Sequence, residues 1–282
     1  MILVDLNQVM ISNLMANLGS HTNAVIDENM IRHMVINSIR SNKVKFEKDF
    51  GEMIICADDK NYWRKAMFPY YKAARKKNRE ESELDWNAIF TSLNKIREEL
   101  KVFFPYKVIQ IDSVEADDII GTICHAEGTE LNTGESILIL SSDKDFIQLH
   151  KYANVKQFDP IRKRWIQHSD PQQYLLEHII KGDAGDGIPN VLSNDNCLVI
   201  GERQKPITKK RMAEISDTIT NEQVLRNFKR NESLIDLSKV PDHIKEQIIE
   251  RYEEVNEKDR SQLFNYFMKN KLRNLMEHIQ EF

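Results

Sequence analysis

Ile137–Leu149, ILILSSDKDFIQL, changes character halfway along. Four apolar residues run into Ser141-Ser142, and Asp143 and Asp145 then flank Lys144. An unbroken apolar run of this length marks a buried strand of a parallel sheet. Its end pushes two carboxylates into one small space, which is unfavourable unless a cation neutralises them. The stretch therefore predicts both a sheet and a charged ligand at the carboxyl end of that sheet.

Three more apolar runs precede it, at Ile2–Val4, Met53–Ala57 and Val108–Ile111. Helical periodicity separates them. Ile31, Met34, Val35 and Ile39 share one face of Met30–Ile39, and Trp86, Ile89, Phe90, Leu93, Ile96 and Leu100 share one face of Trp86–Leu100. Strands alternating with amphipathic helices predict an α/β fold, a mostly parallel central sheet flanked by helices. Val155–Phe158 and Arg164–Gln167, split by Asp159-Pro160, predict a closing hairpin. Beyond Gly182 the texture changes. GDAGDGIPN places three of the nine glycines in one loop. The remainder reads as helical, ending in one amphipathic helix that carries Leu263, Phe264, Phe267, Met268, Leu272, Leu275, Met276 and Ile279 as a packing stripe. The expected division is an α/β domain over 1–182, with a basic region at 60–83, and a smaller, mainly helical domain over 183–282.

The 282 residues are 41% apolar and 30% charged, ample for a sizeable core. No apolar run approaches the roughly 20 residues of a membrane helix, and MILVDLNQVM has neither the basic lead nor the cleavage pattern of a signal peptide. Cys56, Cys124 and Cys197 lack metal-ligand spacing and read as reduced, buried thiols of a cytoplasmic protein. A net charge of −4 argues against a generic nucleic-acid binder. The distribution argues the other way: Lys60–Arg79 holds eight Lys or Arg, five aromatics and no acid.

Every strand candidate runs out into acids: Asp5 after the first, Asp58 after the second, Glu115, Asp117 and Asp118 after the third, Asp143 and Asp145 after the fourth. The loop at 182–187 adds Asp183 and Asp186. One Asp after a strand commonly caps the next helix, and Asp118 fits that reading as well as a ligand's. Four successive strand ends do not. Open α/β sheets bind ligands at these ends, and converging carboxylates require cations among them. The all-oxygen set suits two Mg²⁺ ions, with Mn²⁺ substituting, and excludes a zinc pattern. Two such ions about 4 Å apart suit in-line displacement at a phosphodiester. The basic, aromatic stretch beginning directly after Asp58 favours a nucleic-acid strand over a small phosphate ester. Two rivals stand beside a nuclease. A phosphohydrolase with an aspartyl nucleophile wants DxD at the first strand, where this chain has Asp5-Leu6-Asn7. A catalytically silent structure-specific DNA-binding protein gains nothing from acids set near phosphates.

VDLNQ, ICAD, EADD, SSDKDF and GDAGDGIPN, in this order, resemble the motifs of the 5′-nuclease (flap endonuclease) superfamily, and in particular its phage ribonuclease H branch. The resemblance implies one metal held by Asp5, Asp58, Glu115, Asp117 and Asp143, and a looser one by Asp145, Asp183 and Asp186. Ser141-Ser142 is then the turn between the two sets. Tyr71-Lys72-Ala73-Ala74-Arg75 matches a helical motif in which Lys72 and Arg75 grip the scissile phosphate. Arg64, Lys65, Lys76, Lys77 and Arg79 extend that basic surface, and 73–83 corresponds to an arch expected to lack order without DNA. The usual continuation after the acid loop is missing here, with Gly187 in place of Asn. Lys205, Lys209, Lys210 and Arg211 are what remains there to meet phosphates.

The implied activity is Mg²⁺-dependent 5′→3′ exonuclease and flap endonuclease action with RNase H activity, removing RNA primers and adjacent DNA from RNA·DNA hybrids, 5′ flaps and nicked duplexes during lagging-strand replication. The implied partners are a phage single-stranded-DNA-binding protein and a sliding clamp. The chain starts almost on Asp5, which leaves no tail for clamp docking. The expectation is a monomer, in the host cytoplasm if phage-encoded.

Overall fold

The structure, a computed structural model, describes residues 1–18, 27–129 and 134–282, except for the side chains of residues 17, 18 and 76–78. Strands β1 (Ile2–Asp5), β2 (Met53–Cys56), β3 (Lys107–Ile109), β4 (Ile137–Leu140), β5 (Val155–Asp159) and β6 (Arg164–Ile166) form one sheet in the order β3-β2-β1-β4-β5-β6. The first five are parallel and β6 returns antiparallel from β5, which is the expected hairpin. Strand order reverses between β1 and β4, and that reversal opens a crevice at their carboxyl ends.

Alternation along the strands fills a layer on each face. Ile2, Val4, Met53, Ile55, Leu138 and Leu140 join one buried cluster, while Leu3, Ile54, Cys56, Ile137 and Ile139 join the other. On the first face pack α1 (Leu6–Leu18), α2 (Glu28–Phe50) and α5 (Trp86–Phe103). Between β2 and α5 lie the short α3 (Trp63–Met67), whose Trp63 packs on the second face, and α4 (Ala73–Glu80). α2 runs eleven residues beyond the expected Ile39, because Lys43, Phe46 and Phe50 continue its buried face to the cap at Gly51 (φ +76°). α6 (Ala116–Thr129) covers the second face.

Beyond the sheet come α7 (Pro171–Lys181), α8 (Lys209–Asp217), α9 (Glu222–Ile235), α10 (Asp242–Glu253), α11 (Leu263–Lys269) and α12 (Arg273–Met276). α10 packs with α6, and Leu263, Phe267 and Phe282 enter the same cluster as Ile2 and Ile55. The single terminal helix expected from periodicity is broken. Lys271 turns left-handed (φ +55°), the Leu272 amide donates to the Phe267 carbonyl at 2.9 Å, and the Lys271 amide donates to Met268 at 3.2 Å. These two bonds make a Schellman stop with lysine in the glycine position. Residues 73–80, expected to lack order, form α4. They contain no Gly or Pro and favour helix.

Candidate active site

The crevice at the strand ends is a cleft of about 430 Å³. Asp5, Asp58, Glu115, Asp117, Asp143, Asp145, Asp183 and Asp186 all line it, together with Asn7, Tyr62, Lys72 and Arg75. Each acid is placed by local backbone. Asp5 ends β1, taking the Gln8 amide at 3.1 Å and the Ser141 hydroxyl at 3.0 Å. Ser141, fully buried, also accepts from the Asp143 amide at 3.1 Å. The serine step thus joins the ends of β1 and β4 rather than only turning the chain. Asp58 accepts the Ala116 amide at the start of α6 and the Asn7 amide nitrogen, both at 2.7 Å. Asp59 turns away to bond the amides of Asn61 and Ser113.

Crowding shows in the acids' proton affinity. Burial, and then the charges of Asp58 and Asp143, push Asp5 up to about 7. Burial and then Asp143 push Asp145 up to about 7 as well. Asp117 is raised well above the carboxylate range by burial, then by Asp143 and Asp5. So many oxygens that resist ionisation together form a donor set fitted to hard divalent cations.

Lysine and arginine answer part of this charge. Lys72 lies just before α4 in a left-handed conformation (φ +54°), not on the helix, and its amide donates to the Asp186 carbonyl at 2.7 Å. Its ammonium contacts Glu115 and lies 3.5 Å from Asp186. Arg75, on α4 and about half exposed, pairs with Asp186. The acid loop and the Tyr70–Lys72 segment are pressed together. A Cβ at Gly187 (φ +74°) would come within 2.6 Å of the Tyr70 carbonyl, so glycine is required there.

Two sequence assignments change. Asp118 is fully buried behind the cleft and is not among the residues lining it. It accepts from the Trp63 indole and Arg64 at 2.9 Å and from the Glu115 amide at 3.1 Å, and so acts as a structural cap. Arg64, expected on the nucleic-acid surface, is 2% exposed. Its guanidinium points inward to Glu115 and Asp118 at 2.9 and 2.7 Å and to the Leu234 carbonyl at 2.9 Å. Two buried carboxylates draw the arginine in, because a buried charge without a counter-ion is costly.

Of the other cations, Lys65 is exposed, with its ammonium 5.0 Å from the Tyr62 ring centre. Arg79 lines the cleft beside Phe90. Lys205, Lys209, Lys210 and Arg211 are exposed on and just before α8. The side chains of Lys76 and Lys77 lie outside the described residues.

Sequence reading missed His178. It projects from α7 between two of the acids, with Nδ1 3.6 Å from Asp145 and Nε2 3.3 Å from Asp183. Nothing in its spacing sets it apart from the packing residues of an amphipathic helix. Burial works against its protonation, but the Asp183 hydrogen bond and the neighbouring carboxylates outweigh this and raise its pKa. The same bond leads the causes that lower Asp183.

Residues 2–178 match the family described as "5'-3' exonuclease, N-terminal resolvase-like domain", and residues 170–282 match "T4 RNase H, C terminal". The chain therefore belongs to the 5′–3′ exonuclease family, a class of phosphodiester hydrolases. It is 35% identical to the Ribonuclease H of Enterobacteria phage T4, over 99% of this chain and 95% of that protein. Flap endonuclease Xni of Shewanella piezotolerans is 31% identical over 52% of this chain and 56% of its own length. Among solved structures, the T5 5′-exonuclease with bound zinc shares the fold. Its TM-score is 0.63 at 19% identity, covering 90% of this chain and 99% of that one. A T5 D15 flap endonuclease solved with DNA and metal ions gives 0.61 at 19% identity over the same shares. Among the described residues no helix is long and apolar enough to cross a membrane.

Proposed function

We propose that the chain is a Mg²⁺-dependent 5′→3′ exonuclease and flap endonuclease with RNase H activity. Its substrates are RNA·DNA hybrids, 5′ flaps and nicked duplexes met when primers are removed. The carrying observation is the convergence of six acids from four strand ends on one cleft, beside a lysine and an arginine. Asp5, Asp58, Glu115, Asp117 and Asp143 form the tighter ion position, and Asp145, Asp183 and Asp186 the looser. Two Mg²⁺ ions, or Mn²⁺ in their place, would be held there and would supply charge neutralisation and the acidification by which water yields a hydroxide nucleophile at neutral pH.

The chain's own groups supply the rest. Lys72 and Arg75, anchored on the acid side of the cleft, orient the scissile phosphate and meet its developing charge. Tyr62 lines the same cleft, and its ring offers a face on which a terminal base can stack. α4 and its basic side chains lead the free 5′ strand toward the cleft. Residues 183–282, including Lys205, Lys209, Lys210 and Arg211, are read as the part that handles duplex. The protein works as a monomer in the cytoplasm of the host cell. A single-stranded-DNA-binding protein and a sliding clamp are the partners such a role implies.

A 5′-labelled RNA·DNA hybrid, a 5′ flap and a nicked duplex incubated side by side with Mg²⁺ test this reading. Cleavage with 5′-phosphate products, abolished by EDTA, is expected on all three. Tight binding in EDTA without any turnover in Mg²⁺ would instead establish a silent DNA-binding protein.

A further inference from the structure

Asp145, His178 and Asp183 each present one ligand atom, all within 4.8 Å of one another. The two contacts of the imidazole differ in kind. Nε2 lies 3.3 Å from Asp183, within reach of an N–H···O bond. Nδ1 lies 3.6 Å from Asp145 Oδ1, too far for a hydrogen bond. That separation is nonetheless close to what two ligands flanking one ion require, since bonds of about 2.1 Å set them roughly 3.0 Å apart at a right angle and roughly 3.4 Å at a tetrahedral one. With Nε2–H donated to Asp183, the ring takes the tautomer whose Nδ1 lone pair faces Asp145. A carboxylate that orients a histidine through its other nitrogen is the usual support of a ligating imidazole. α7 carries the ring rigidly: Pro171 opens it after the Asp170 cap, and the Gly182 amide closes it on the His178 carbonyl at 2.8 Å.

We propose that His178 is a metal ligand. Through Nδ1 it completes the looser ion position with Asp145, while Asp183 holds the ring. That position is thereby a mixed nitrogen–oxygen site, unlike the all-carboxylate position at the strand ends. Imidazole favours divalent transition ions over Mg²⁺, which prefers oxygen alone. The two positions of one cleft therefore differ in metal preference, with the looser one selecting the Mn²⁺-to-Zn²⁺ series. The inference rests on the two-position reading of the cleft and specifies the chemistry of one of them.

The test is metal binding without substrate. Mn²⁺ is titrated into the wild-type protein, His178→Ala and His178→Gln, followed by the spin resonance of free Mn²⁺, by calorimetry and by electron spin-echo detection of nitrogen coupled to bound Mn²⁺. Mg²⁺ is titrated in parallel. Two Mn²⁺ per wild-type chain are expected, the weaker one showing imidazole nitrogen coupling. Either substitution should remove that coupling and weaken the position for Mn²⁺ by about tenfold or more. Mg²⁺ affinity should change by less than about threefold. Two bound Mn²⁺ without nitrogen coupling in the wild type would overturn the role of His178 while leaving the two-position reading intact. Variants that bind Mn²⁺ as tightly as the wild type, or more tightly, would also overturn it, showing that the imidazole only balances charge. No Mn²⁺ bound by the wild type would overturn both. The wild-type coupling decides the matter even if a variant folds poorly.

Discussion

The two acid groups of the cleft are built in opposite ways. Asp5, Asp58 and Asp143 sit on or just beyond strand ends and are fixed by backbone amides and by Ser141. Asp145, Asp183 and Asp186 come from the segment after β4 and the loop after α7; the Asp186 amide donates to Asp183 at 3.0 Å, and the side chains of His178, Lys72 and Arg75 supply the other contacts. Asp5, Asp58 and Asp143 take their geometry from the sheet, while the second group depends more on ion pairs, as does Glu115 with Arg64 and Lys72. Precision of placement should therefore differ across a single cleft, with the first group unforgiving and the second adjustable.

The strongest way to break this comparison is to remove an acid of the first group. Asp5→Asn or Asp143→Ala should lower flap cleavage by about a thousandfold or more, leaving circular dichroism and cooperative unfolding intact. Wild-type rates for either variant in saturating Mg²⁺ would place the chemistry elsewhere. Lys72→Ala comes next, with an expected loss in kcat of about 10²–10³. The loss should exceed that of Arg75→Ala, because Lys72 is buried among carboxylates and Arg75 is half exposed. Equal losses would erase that ranking.

Arg64→Ala should act on the fold. Two buried carboxylates lose their counter-ion, at a cost of about 3–5 kcal/mol measured by denaturant unfolding. A variant that unfolds like the wild type would show that Glu115 and Asp118 find another partner.

The smallest effect sharpens the contrast through pH. Asp5 and Asp145 both rise from 3.8 to about 7 on folding without metal. Such groups favour the folded state less once the unfolded chain ionises. Stability of the metal-free protein should therefore fall as pH rises from about 4 to about 7, and saturating Mg²⁺, which binds the ionised form, should cancel the fall. Thermal melts with EDTA and with Mg²⁺ across that range are the measurement. A metal-free protein that instead gains stability over the same interval would contradict the crowding of these acids.

The sequence carried the first group openly. Asp5, Asp58 and Asp143 each end an apolar run, and a parallel sheet brings the ends of its strands together whatever the helices do. The strand order, with its reversal beside β1, was not legible, because alternation of strands and helices leaves open the side on which each strand adds. The second group was half visible, because His178 lies within an amphipathic helix whose period says nothing of what its polar side faces. Arg64 misled for a related reason: in a stretch of eight cations, burial of one is decided by Glu115 and Asp118, 51 and 54 residues away. The broken terminal helix escaped because lysine, not glycine, occupies the left-handed position at 271.

The close approach of Gly187 to the Tyr70 carbonyl constrains how this chain can change. The motif this stretch resembles has asparagine at position 187, yet here any Cβ meets the backbone of the segment that bears Lys72. Restoring asparagine at 187 alone would push on Tyr70 and, through the Lys72 amide, on Asp186. The acid loop and the lysine segment of this chain therefore tolerate exchange only as a pair. Chimaeras that swap residues 182–190 without residues 68–75 should inherit neither parent's cleft.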